Sequence, residues 1–559
     1  MGHVAPTPHS STRPPAHSST RPPIHPFPSL KENTMTDNLD NTIPTPSCGG
    51  EDLGQVKDHF ELFHTDTYQD LFEYKRQFEG AHSRDLVAET AEWTKSWDYR
   101  EKNFAREALT VNPAKACQPL GALFVAAGFE DTLPYSHGSQ GCVAYFRSHL
   151  TRNYKEPFQA VSSSMTEDAA VFGGLSNLKA GLENSYTLYK PKMIALCTTC
   201  MAEVIGDDIG AYITTAKNEG HIPEDLPVPA AHTPSFVGSH ITGYDNMLKS
   251  ILKTLTKDEK SETTNGKFNF NLGFDPYIGN IRELKRILGL FGVDYTVLSD
   301  NSDTFDSPNT GEFKMYNGLT TLADTADSIN AEGTVFFQKY TTPKTQEYIA
   351  KEWGQKTYNF RPFGIKGTDE FLMTLSAITG KPIPLELQQE RGRAVDALTD
   401  SQAWIHGKKI ALYGDPDHVL SLVQFLLEMG AEPTHIVVTN SNDEFEAEAR
   451  ELLTNSPYGQ GGTVWGGKDL WHLRSLMFTE PVDLLIGNSY GKYLWRDTGT
   501  PLVRIGYPIF DRHHMHRYAT LGYQGAINQF NWIVNTILEE LDRKTIVPAK
   551  TDISFDLIR

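Results

Sequence analysis

Cys117, Cys142 and Cys200 are the residues of this chain best placed to do chemistry. Each sits where an irregular or extended stretch gives way to a helical one. Cys117 lies in NPAKACQPLGALFVAAG, two residues before Pro119, and proline suits the first turn of a helix. Cys142 follows GSQG and opens VAYFRSHL, while Cys200 ends an apolar run and opens MAEVIGDDIGAYITTA. A helix start offers unpaired N–H groups and a positive dipole end, which favour thiolates and thiolate-bound clusters of net negative charge. Burial as a structural residue is the common fate of a single cysteine. Three at like boundaries are less easily dismissed, although spacing alone leaves the two readings level. The spacing does not fit a compact zinc knuckle. Three thiolates also fall one short of a four-cysteine iron–sulfur site, which suggests a non-cysteine ligand or a cluster shared with another chain.

Other motifs are weaker. Cys197 and Cys200 form C-T-T-C, the spacing of a thioredoxin-like dithiol. In that fold the pair begins a helix, whereas Cys197 lies inside an apolar strand-like run and only Cys200 reaches its end. Gly462–Asp469 (GTVWGGKD) nearly matches a P-loop, but Asp469 stands where Ser or Thr should bind magnesium. No G-x-G-x-x-G follows a strand. DRHHMH (511–516) clusters His513, His514 and His516 without zincin spacing, so packing or hydrogen bonding is its expected role.

The elements that must position these residues alternate. Met193–Thr199 reads as a strand with a helix-like stretch behind it to Lys217. Phe268–Phe274, Asp294–Leu298, Thr334–Phe337, Lys409–Tyr413, His435–Thr439, Leu484–Ile486 and Leu502–Ile505 are further strands. Helices are expected at 279–292, 415–430 and 524–542. Such alternation implies α/β architecture, with parallel sheets covered on both faces and ligands held beyond the carboxyl ends of the strands. Residues 66–80 (DTYQDLFEYKRQFEG) read as helical, within a polar N-terminal arm at 35–105 that packs on a neighbour. Residues 1–34 repeat HSSTRPP and have little apolar material to bury, which reads as a disordered tail, with Met35 a candidate original start.

The chain has 559 residues, 39% of them hydrophobic, and a net charge of −19. The acidity argues against nucleic-acid binding as the main business, since phosphate demands a basic field. No window approaches the roughly 18 apolar residues that span a bilayer. Five cysteines in such a length suit a reducing, cytoplasmic compartment rather than a disulfide scaffold.

Longer stretches carry a family resemblance. ALTVNPAKACQPLGA (108–122), YSHGSQGCVAYFR (135–147), SSSMTEDAAVFGG (162–174), TTCMAEVIGDD (198–208), AHTPSFVGSHITG (231–243), KDLWHLRSL (468–476), IGNSYGK (486–492) and IFDRHHMHR (509–517) resemble the beta chains of the nitrogenase molybdenum–iron protein family. The match runs from about residue 57 to the C-terminus.

The resemblance implies three Rossmann-like domains, at 106–265, 266–400 and 401–559, following the arm and tail. It implies an alpha2beta2 heterotetramer in which an [8Fe-7S] P-cluster lies between alpha and beta chains. Cys117, Cys142 and Cys200 match its beta-side ligands, with Cys142 the bridging thiolate. Ser235 matches a serine that binds iron in the oxidised state, although by itself it would read as a helix N-cap. The molybdenum–iron cofactor belongs to the alpha chain, and electrons arrive from an ATP-hydrolysing iron protein. Phe172 matches a residue of that docking surface; a core aromatic is its plain alternative. A second metal, calcium or iron, is implied between two beta chains. Asp396 and Asp400 of one chain would meet Glu156 and the Lys155 carbonyl of the other, where a solvated acidic face is the ordinary reading. Cys48 and Cys197 fall outside this ligand set. The rival readings are a cofactor-assembly scaffold subunit, a C-x-x-C dithiol oxidoreductase and a metal-free structural subunit.

Overall fold

The computed structural model describes residues 64–78, 85, 88, 89, 92 and 114–545, apart from 258 and 313. Cys48 and the segment 1–34 lie outside them. Helix α1 (Asp66–Phe78) stands in a unit of its own. Its Leu71 and Phe72 are exposed.

The other unit holds three parallel sheets. The first orders its strands β2-β1-β3-β4: β1 Thr132–His137, β2 Val161–Ser162, β3 Met193–Thr198 and β4 Ala230–Ala231. The second orders β6-β5-β7-β8, built from Phe268–Asn271, Tyr295–Val297, Gly333–Phe336 and Thr357–Asn359 for β5 to β8. The third orders β11-β10-β9-β12-β13, with β9 Lys409–Tyr413, β10 Glu432–Val438, β11 Thr463–Gly466, β12 Leu484–Gly487 and β13 Leu502–Arg504. β1 and β3 are buried along their whole length, as parallel strands covered on both faces must be.

Helices cover the sheets. Those that bear on the site are α2 (Gln118–Ala126), α3 (Gln140–Tyr154), α4 (Glu167–Phe172), α5 (Leu175–Tyr189), α6 (Cys200–Ile205), α7 (Ile209–Asn218) and α8 (His240–Leu255). α2 and α8 pack backbone to backbone. A Cβ on Gly121 would lie 1.7 Å from the His240 carbonyl oxygen, and one on Gly243 would lie 1.8 Å from that of Gln118. Only glycine permits that approach. The largest core cluster gathers around this crossing, with Leu120, Phe124, Tyr244 and Leu248.

The expected helix from Cys200 to Lys217 is two helices. Gly206 adopts φ +77 and ends α6, and the Asp208 carboxylate caps α7 by accepting from the Ala211 N–H. The GTVWGGKD stretch is not a phosphate loop. Residues 463–466 are strand β11, and Asp469 caps the helix Leu470–Thr479 by accepting from the His472 N–H. No helix among the described residues is long and apolar enough to cross a membrane.

Candidate metal-cluster site

Three of the sequence-selected residues follow adjacent strands of the first sheet. β1 ends at His137, and Gly138 and Ser139 lead into α3, with Cys142 in its first turn. β3 ends at Thr198, and Cys200 begins α6. β4 ends at Ala231, and the loop behind it carries Ser235. Cys117 arrives from the other direction, as the residue that caps the N-terminus of α2. All three cysteines therefore stand at helix starts. Ser235 does not: the N-cap of α8 is Ser239, so the N-cap reading of Ser235 fails.

Cys117 and Cys142 both feel their neighbours. Burial is the main cause that pushes the Cys117 thiol up; a hydrogen bond with Ser235 pulls it down, the charge of Cys200 adds to the rise, and Lys115 opposes it. Burial likewise raises Cys142, with Cys200 and Cys117 adding to it. Partly buried sulfurs whose charge is disfavoured in this way, at Cys117 and Cys142, are ill suited to stand as free thiolates. Cations placed among them would remove the penalty. Among the described residues no three His, Cys, Asp or Glu side chains gather tightly enough to hold a single ion.

Gln118 braces the site, and sequence reasoning missed it. Its side chain is 2% exposed. Its amide donates to the carbonyls of Pro234, at 2.9 Å, and Val237, at 2.8 Å, which flank Ser235. Its carbonyl accepts from Asn246 at 3.1 Å. His240 holds the residue before Cys117: its Nδ1 accepts from the Ala116 N–H at 3.2 Å, and its Nε2 lies 3.0 Å from an Asp415 oxygen in the third-sheet region. The loop that Gln118 holds and the His240 ring both lie more than a hundred positions along the chain from Cys117, so no local spacing could reveal these contacts.

Cys197 is fully buried in β3, and burial pushes its thiol up to about 12. A thiol so held is a poor nucleophile. No disulfide joins it to Cys200. The dithiol reading loses its chemistry. Of the histidines in DRHHMH, His516 is buried against Tyr154, with ring centroids 5.3 Å apart, and burial lowers it to about 4. That is packing.

Around the thiols the surface is apolar and open. Phe172 is 87% exposed, so it is no core aromatic. Val171, Val204, Phe236, Val237 and Tyr145 are exposed as well. They lie on α4, α6, the Ser235 loop and α3, the elements that carry Cys142, Cys200 and Ser235 or neighbour them. An apolar face of this kind marks a protein interface.

The second metal set is divided. Lys155 caps the C-terminus of α3 with φ 65, and Glu156 follows it. Burial raises the Glu156 carboxyl, Asp306 adds to the rise and Arg517 opposes it. Asp396 and Asp400 lie exposed on α9 (Leu385–Ser401).

Comparison with known proteins follows the same lines. Residues 117–538 match the family model of nitrogenase component 1 type oxidoreductases. The chain belongs to this nitrogenase family. The match begins at Cys117. Residues 50–103 match a second model, a domain of unknown function. A nitrogenase molybdenum-iron protein beta chain of Crocosphaera subtropica is 69% identical, over 91% of this chain and 100% of its own. One of Nostoc is 68% identical over 90% and 98%, and one of Bradyrhizobium diazoefficiens 58% over 90% and 99%. Among solved structures, a chain of nitrogenase Cp1 at pH 6.5 superposes with a TM-score of 0.77 at 39% identity, covering 81% of this chain and 97% of its own. A chain of nitrogenase Cp1 at pH 5, 18% identical with a TM-score of 0.61, shares the fold. The resemblance carried by the cysteine-bearing stretches thus holds across the molecule, and the protein is a nitrogenase-type oxidoreductase.

Proposed function

We propose that this chain is the beta subunit of a nitrogenase molybdenum–iron protein. With an alpha chain it holds an [8Fe-7S] P-cluster and passes electrons from an ATP-hydrolysing iron protein to the molybdenum–iron cofactor of the alpha chain, for reduction of dinitrogen to ammonia. The observation that carries the reading is the convergence of Cys117, Cys142 and Cys200 beside Ser235 on an open apolar face. Soft sulfur donors in partly desolvated surroundings suit iron. The cluster, when bound, supplies electron storage and transfer.

The chain's own residues do the rest. The three cysteines bind as thiolates and release their protons on loading. Ser235, already hydrogen-bonded to Cys117, stands ready as a harder oxygen donor, and its deprotonation would tie oxidation to proton release. Gln118 holds that loop in place. The face around Val204, Phe236 and Tyr145 seats the alpha chain, and Phe172 meets the iron protein. Lys155 and Glu156, with Asp396 and Asp400 of a second beta chain, supply oxygen donors to calcium or iron at the beta–beta contact. The domain limits at 106–265, 266–400 and 401–559 each enclose one sheet, which supports a three-domain division.

The test is anaerobic co-purification with the alpha chain, then iron analysis and EPR of the wild type and of Cys117→Ala, Cys142→Ala and Cys200→Ala. Oxidant-dependent cluster signals that the substitutions diminish or abolish are expected. Unchanged iron and spectra in all three variants would overturn the ligand assignment and favour a scaffold or structural role.

A further inference from the structure

A buried polar cluster lies behind the cysteines. His137, the last residue of β1, has a fully buried side chain. Its Nε2 lies 2.9 Å from Asp207 Oδ2 and its Nδ1 lies 2.9 Å from Ser163 Oγ. The carboxylate can only accept, so Nε2 carries the proton and the Ser163 hydroxyl donates to Nδ1. The order Ser–His–Asp is that of a hydrolytic triad. Ser163 and both its partners are buried, so no substrate reaches the hydroxyl.

What the cluster does is join segments. Asp207 follows α6, which begins with Cys200. Its Oδ1 accepts from the Gly174 N–H at 3.1 Å and from the Tyr212 hydroxyl at 3.0 Å. Gly174 stands two residues after Phe172, and Gly173 between them turns with φ +88. Ser163 Oγ accepts from the Gly138 N–H at 2.9 Å, in the turn that leads to Cys142. The Thr199 N–H donates to the His137 carbonyl at 2.9 Å, and the Met165 N–H to that of Gly138 at 2.9 Å.

The packing leaves no slack. A Cβ on Gly174 would lie 2.5 Å from Asp207 Oδ2 and 2.7 Å from His137 Nε2. One on Gly138 would lie 1.8 Å from Thr199 Oγ1. A shift of Gly174 must therefore move Asp207 or break their hydrogen bond, and the Phe172 end of α4 is tied to that point through a single residue. Interiors packed this tightly transmit displacement.

We propose that His137 and Asp207 are positioning residues that fix the Phe172 helix in register with the loops of Cys142 and Cys200, so that occupation of the Phe172 face is felt at both cysteines. This rests on the docking and cluster roles argued under Proposed function.

The experiment uses the intact alpha–beta complex and hydrogen–deuterium exchange, with and without saturating iron protein, alongside iron content and EPR. In the wild type, protection should rise at 165–175 and also at 138–142 and 199–207. In Asp207→Asn and His137→Gln, protection at 165–175 should persist. The gain at the two cysteine loops should fall by about three- to thirtyfold, with iron content kept. Tyr212→Phe, which removes one hydrogen bond without opening the core, should give a smaller loss. Wild-type protection of the cysteine loops in all these variants would overturn the proposal. So would loss of iron and of all protection in the first two with no effect in Tyr212→Phe, which marks a purely structural role. A wild-type complex without iron, or without protection at 165–175, would remove the underlying reading, and the proposal with it.

Discussion

At the scale of single residues, the site divides into groups that a spacing argument finds and groups that only the fold reveals. The three cysteines were legible because each precedes a helix-like run. Ser235 was legible only through resemblance, and its partner Gln118 was not legible at all, since the loop it braces lies more than a hundred positions away in sequence. Gln118→Leu should cost about 1–3 kcal/mol by stranding the carbonyls of Pro234 and Val237, seen as a lower denaturant midpoint of the complex. Phe172 is the opposite case: it is exposed, and docking is the role proposed for it. Phe172→Ala should raise the iron-protein concentration needed for half-maximal electron transfer by about tenfold or more while iron content stays constant. Asp275 bears on pH. Burial lifts its carboxyl from 3.8 to about 7, against the pull of hydrogen bonds from Asn280 and the Tyr277 N–H. The fold thus favours the protonated form. Its contribution to stability is full below pH 3.8 and is lost as pH climbs through about 7. Relative to Asp275→Asn, the wild type should lose stability between those values, in denaturant midpoints taken along a pH series. Parallel curves would show that Asp275 does not titrate there.

At the scale of elements, long apolar periods were read well and short strands were not. β3, β9 and the helix Gly522–Lys544 follow the pattern closely. β2 and β4 are two residues each, too short for any period to show. β1 reads TLPYSH, with a proline and three polar residues, and the hydrogen bonds by which Thr132 and His137 tolerate burial are not visible in its pattern. The break between α6 and α7 turns on one glycine in a left-handed conformation, which a helical window averages away. The α2–α8 crossing is the element most exposed to error. Gly121→Ala sets a methyl group against backbone, not against a side chain that can rotate, so overpacking should cost about 1–3 kcal/mol or more. Since Cys117 stands at the N-cap of α2, iron content of the purified complex should fall with it. Gly289, whose Cβ would meet nothing within 4 Å, supplies the matched control.

At the scale of the whole molecule, three parallel sheets make the scaffold, and the strand ends of one lead to Cys142, Cys200 and Ser235. The class of fold was visible in the alternation of strands and helices; the pairing order within each sheet was not, because parallel strands are joined by distant crossovers. The chain's charge of −19 should keep it soluble, yet the open face around Phe172, Val204 and Phe236 works against that. Produced without an alpha chain, the protein should self-associate in sedimentation velocity and bind ANS, and both signs should fade when the alpha chain is added. A monodisperse, ANS-silent beta chain would show that this face needs no cover. The strand-end placement of the donors has one more consequence. No excised peptide can inherit this chemistry: a fragment around Cys117, Cys142 or Ser235 carries a single donor, and one around Cys200 adds only the core-facing sulfur of Cys197. The site cannot be transplanted as a motif, and a protease nick anywhere between 117 and 235 splits the donor set between two pieces of chain.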